Sequence, residues 1–116
     1  MKKLIPLLAV GLVASCSILD TSFYDDNESM LAIEVRHEVY MLDCSMPYIH
    51  GIKTSVDKLY LYTESKGSKD IHELVGKMRE SAAGLKEDMS PTFCSLKKKA
   101  LESQGKSITA GIMGRF

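Results

Sequence analysis

Asp70-Ile71-His72-Glu73-Leu74-Val75-Gly76-Lys77-Met78-Arg79-Glu80-Ser81-Ala82-Ala83-Gly84-Leu85-Lys86-Glu87-Asp88-Met89 holds the clearest periodic signal in the chain. Ile71, Leu74, Val75, Met78, Ala82, Leu85 and Met89 recur at steps of three and four, which lines them along one broad helical stripe. Asp70 with Glu73 three residues later makes a capping-box-like start. Ser90-Pro91 then stops this helix and opens the next, because proline fits a first helical turn but not an interior one.

Working outward, Ile49, Ile52, Val56, Leu59 and Thr63 form a second helical seam. Ser45 is placed to cap it, Pro47 to open it and Gly67 to end it. From Glu28 to Asp43, Leu31, Val35, Val39 and Leu42 keep helical spacing behind the polar start Asp25-Asp26-Asn27. Ile33, Val35, Val39 and Met41 also fit part of an alternating strand pattern. Phe93, Leu96, Ala100 and Leu101 give a shorter fourth helix, with Gly105 as its terminator and Lys97-Lys98-Lys99 partly on its outer side. The expected fold is all-α: a small irregular bundle of about four helices over residues 28–105. Residues 106–116, rich in glycine and small side chains, are expected to form a loose tail.

The 116 residues leave room for one domain, and Lys plus Arg equal Asp plus Glu at 15 each. That balance argues against nucleic acid as a partner. Residues 1–15 read as a leader: a cationic Met1-Lys2-Lys3, then an uncharged run from Leu4 to Ala14. As a helix that run would cover only about 16 Å, roughly half a bilayer's hydrocarbon core.

Val13-Ala14-Ser15-Cys16 resembles the lipobox of bacterial lipoproteins, an aliphatic residue and two small ones before the modified cysteine. The resemblance implies a diacylglyceryl group on the Cys16 thiol, cleavage before Cys16, and anchoring to a bilayer by several acyl chains. Aspartate directly after the cysteine retains many such proteins at the inner membrane. Ser17 stands there, so the periplasmic face of the outer membrane is the expected location. Residues 16–27 then form the lipidated cysteine and a polar tether.

With Cys16 consumed by lipid, Cys44 and Cys94 remain, and an even pair in an exported protein reads as a disulfide. Closing a loop of about fifty residues stabilises a fold by about 4 kcal/mol in the chain-entropy account. The alternatives are two buried free thiols, or a metal site with histidines that no C-x-x-C or H-x-x-x-H spacing supports.

His37, His50 and His72 lie on three separate segments, and no G-x-S-x-G, H-E-x-x-H or glycine-rich phosphate loop is present. The expectation is a non-enzymatic protein with no catalytic residue, metal or cofactor. Tyr48, Tyr60, Leu61 and Tyr62 lie around the second seam and are the candidate partner-binding face; burial by neighbouring helices is the competing reading.

A helical lipoprotein of this build is similar in architecture to pilotins, which escort secretin subunits to the outer membrane. That similarity implies a protein-binding role toward an envelope protein. The stretch Cys44-Ser45-Met46-Pro47-Tyr48-Ile49-His50-Gly51-Ile52, with a later helix near Phe93-Cys94, resembles periplasmic immunity proteins against peptidoglycan amidases. It implies instead neutralisation of an incoming toxin, plasmid or phage. No functional residue is carried over from either.

Overall fold

The computed structural model describes residues 24–114, and the expected leader, Cys16 and most of the tether lie outside them. Four helices make up the described chain: α1 (Asp26–Tyr40), α2 (His50–Lys66), α3 (Lys69–Ala83) and α4 (Pro91–Met113). Each packs on its neighbours in chain order, and α1 also packs on α4, which closes the ring.

The side-chain pairs between helices fix their directions. Glu28 meets Lys66 while Glu34 meets Lys58, so α1 and α2 run antiparallel. Arg79 reaches Asp57 while His72 reaches Thr63, so α2 and α3 do too. Arg36 donates to Thr109 while Lys98 donates to the Tyr40 carbonyl, so α4 returns antiparallel to α1. The result is an up-down-up-down bundle around Val35, Ile52, Leu59, Val75, Met78 and Leu101, all at most 1% exposed.

Local chemistry sets the helix ends. At α1, Asp25 in extended conformation accepts from the Asn27 N–H at 2.8 Å. Gly67 closes α2 at φ 82°, where any side chain would be strained, and the two-residue link Gly67-Ser68 reverses the chain into α3. Ser90 Oγ accepts from the Phe93 N–H at 3.2 Å with Pro91 in the first turn of α4.

Several expectations need correction. Ser45 does not cap α2, which begins at His50 behind Ile49; Asp43 holds Ser45 in a turn of the preceding loop instead. Asp70 is not the cap of α3: Ser68 stands at the N-cap position, with no side-chain cap hydrogen bond, and Asp70 falls in the first turn. Gly84 ends that helix, so Leu85 and Met89 pack on the core from a loop.

The largest difference lies in α4. Gly105 is not a terminator; the helix runs through it to Met113, so residues 106–113 are helical and not a loose tail. Gly105 is buried, and a Cβ there would stand 3.0 Å from Arg36 Cγ. Its missing side chain therefore serves a close approach of α1 to α4 in mid-helix. Ile108 and Ile112 continue the buried stripe begun by Cys94 and Leu101, whereas Phe93 and Leu96 are exposed.

A chain ending at Gln104 would lose Ile108 and Ile112, two fully buried side chains worth about 2 to 3 kcal/mol each. We expect it to lose cooperative thermal unfolding by circular dichroism. Gly67→Ala should cost about 1 kcal/mol in urea unfolding.

Candidate functional site

The two ends of the bundle differ in chemistry. At the end where the chain enters α1, Glu28 is fully buried and its carboxylate accepts from Lys66 Nζ at 3.3 Å. Lys66 Nζ also lies 4.0 Å from Asp25, and the Tyr62 phenol donates to Asp25 Oδ2. Burial pushes the Asp25 carboxyl up, but the Tyr62 hydroxyl, the Asn27 N–H, Lys66 and the Glu28 N–H together hold it below the usual aspartate value. Burial and the bond to Asp25 push the Tyr62 phenol up. This cluster joins the first turn of α1 to the last turns of α2.

At the opposite end, Cys44 and Cys94 form a disulfide with Cα atoms 5.6 Å apart. Cys94 is buried in the first turn of α4 and Cys44 is half-buried in the loop between α1 and α2. Leu42 and Ile49, both buried, pin the two sides of that loop. Lys98 Nζ donates to the Tyr40 and Leu42 carbonyls at 3.1 and 2.9 Å, which places a cation on the negative end of α1. Asp43 accepts from Ser45 Oγ and N–H at 2.7 and 2.9 Å, and those bonds, with Lys98 nearby, hold its carboxyl low.

Around this ordered loop sit six of the ten large apolar side chains exposed among the described residues: Tyr40, Met41, Met46, Tyr48, Phe93 and Leu96. Met46 is 82% exposed and Tyr40 74%. Lys97, whose ammonium lies 5.7 Å over the Phe93 ring, and the exposed Lys99 give the same end a basic margin. Isolated exposed apolar residues are ordinary on any protein; six at one end of a small bundle are the composition of a contact surface.

The residues singled out from sequence separate onto different faces. Tyr48 belongs to the disulfide end and is exposed. Tyr60 turns toward α3, with its ring 4.2 Å from that of His72 and under the Arg79 guanidinium at 4.6 Å. Together with Gly76 and Asp57 it lines an open groove of about 510 Å³. Tyr62 turns the other way, toward α1, where it lines a groove of about 650 Å³ with Met30, Leu31, Ile33 and His37. Leu61 lies between them, exposed. Ten residues of helix, roughly 15 Å, separate the Tyr48 end from Tyr60, so the four do not make one surface.

The sequence offers no motif that marks Met30, Ile33, Tyr40, Met41 and Met46 as exposed contact residues, and its helical spacing puts Phe93 and Leu96 on the apolar stripe of α4, whereas both are exposed. The available signal was in α1, whose apolar residues fall on every side and not along one stripe, so that burying one face leaves another uncovered. Among the described residues, no group of three or more His, Cys, Asp or Glu is arranged to hold a metal, and no helix is long and apolar enough to cross a membrane. Comparison with protein-family models, curated proteins and solved structures finds no match.

Tyr62→Phe should cost about 1 kcal/mol at pH 7, since it removes a hydrogen bond to a charged group at a partly solvated site. The sign with pH follows from both shifts. A lowered Asp25 contributes stability above its unfolded value, lost as pH falls through the folded one; a raised Tyr62 contributes below about pH 10, lost as pH rises further. The difference between wild type and variant in urea unfolding should therefore shrink below about pH 4 and above about pH 10.

Proposed function

We propose that the chain is a small lipid-anchored, periplasm-facing lipoprotein that binds an envelope protein through its disulfide end. The observation carrying this reading is the lengthwise separation of the two ends. The segment leading from Cys16 must join the bundle at Asp25, while six of the ten large exposed apolar side chains among the described residues gather at the far end of α1. An acylated Cys16 therefore sets that far end away from lipid, by about 22 Å for the fifteen residues of α1 plus whatever the tether spans.

The chemistry of the far end suits protein contact. Tyrosine, methionine and phenylalanine offer large contact area at modest ordering cost, and methionine adapts its shape to a partner. The loop bearing Met41, Met46 and Tyr48 is held by the disulfide, by Leu42 and Ile49, and by the Asp43 turn, so binding would order little additional chain. An oxidising compartment is where such a disulfide persists, which agrees with an exported chain.

The test is site-specific photocrosslinking in intact cells of the source bacterium. A photoreactive residue replacing Met46 or Tyr48 should give one dominant adduct, and Met41→Glu with Leu96→Glu should reduce it at least tenfold while leaving Tm within about 3 °C. A photoreactive residue at Glu73, exposed on α3, should give none. Equal labelling from Met46 and Glu73 would contradict the assignment. The adduct's identity separates an assembly partner from a neutralised toxin.

A further inference from the structure

Two-electron oxidants attack sulfur first, and this fold has already taken its described thiols out of reach. Cys44 and Cys94 are joined, and the chain has no tryptophan to compete. What remains open to oxidation is methionine, and its exposure is uneven. Met78 is fully buried and Met89 packs half-buried on the core, whereas Met46 is 82% exposed, Met30 71% and Met41 62%.

Met41 and Met46 stand on either side of Cys44, and the segment between them is held independently of both side chains. Leu42 is buried, Cys44 is bonded to Cys94, Lys98 Nζ donates to the Leu42 carbonyl at 2.9 Å, and the Met46 N–H donates to the Asp43 carbonyl at 3.2 Å. Neither methionine belongs to the core. A change in their polarity therefore leaves the fold standing and alters only what the disulfide end presents. The described chain enters α1 and leaves α4 at the other end of the bundle.

Resting on the reading above, in which this end grips an envelope protein, we propose that Met41 and Met46 are oxidation sites through which a small two-electron oxidant of the hypochlorous acid class loosens that grip. Hypochlorous acid delivers one oxygen to the thioether sulfur. Overall an S–O bond forms and the O–Cl bond breaks; sulfur gives up two electrons, chlorine leaves as chloride, and the proton passes to water. The sulfoxide is polar and chiral where the thioether was apolar and pliable. Against an apolar partner it is a hydrogen-bond acceptor without a donor, which weakens the contact. The disulfide holds the loop in place through the change, so reduction of the sulfoxide restores the original surface.

The experiment places a photoreactive residue at Tyr48 of the full chain, in cells of the source bacterium treated with graded hypochlorous acid before irradiation. Sulfoxide at each methionine is read by peptide mass spectrometry alongside the adduct. Met41 and Met46 should reach half conversion at a dose at least tenfold below that for Met78, and the adduct should fall at least fivefold at that dose. Met41→Leu with Met46→Leu, close in volume to the native pair, should keep the untreated adduct within about twofold and lose none of it on treatment. Either single substitution should recover part of the loss. Met30→Leu removes an equally open methionine about 16 Å away along α1 and should leave the sensitivity unchanged. Conversion of Met41 and Met46 no earlier than Met78 overturns the assignment of the sites. Full conversion with the adduct unchanged, or an equal fall in the double variant, overturns the effect on the grip and leaves the binding reading intact. Absence of adduct from untreated cells overturns the binding reading, and the oxidation switch falls with it.

Discussion

The disulfide between Cys44 and Cys94 is the constraint on which the rest of the structure leans. It ties the loop after α1 to the start of α4, which closes the bundle across a closely packed helix pair that chain order does not make adjacent. α1 needs that tie. Its apolar residues are spread around the helix, so burial of a single stripe holds it less firmly than it holds α3. The opposite end of α1 is fixed by other means, through the Asp25 cap, the Tyr62 hydroxyl and the Glu28–Lys66 pair. A helix pinned at both ends can keep apolar side chains in water along its outer face.

Legibility in the sequence followed how local each signal was. The stripe of α3, the glycine closing α2 and the Ser90-Pro91 start of α4 are written within a few residues, and the structure has all three. The pairing of Cys44 with Cys94 was readable because the expectation that Cys16 carries lipid left those two thiols to pair, and the structure has them joined. Gly105 was not readable. A glycine ends a helix when it adopts positive φ and is tolerated inside one when a neighbouring helix needs the room; the sequence does not contain Arg36 lying against it. Once Gly105 was taken as an end, Ile108 and Ile112 dropped out of the stripe, and Phe93 and Leu96 took core places that they do not fill.

The tyrosines show the same limit in the candidate site. Tyr60, Leu61 and Tyr62 are consecutive, so a helix sends them about 100° apart, and only the positions of α1 and α3 decide what each one meets. Tyr60 stacks on His72 and Tyr62 bonds Asp25. Each therefore has a partner within the bundle, while most of the large exposed apolar side chains lie at the disulfide end and along α1. The exposed side chains there are mainly methionine and tyrosine, residues that a helical pattern assigns to a core as readily as to a surface.

The proposed anchor at one end and the ordered apolar surface at the other make one account, and it depends on where the chain matures. The most direct measurement is the intact mass of the protein extracted from membranes after alkylation without reductant. The account requires a chain beginning at Cys16, heavier by its acyl groups, with Cys44 and Cys94 unalkylated until reductant is added. A chain that retains Met1 and takes up alkylating reagent at all three cysteines would contradict it.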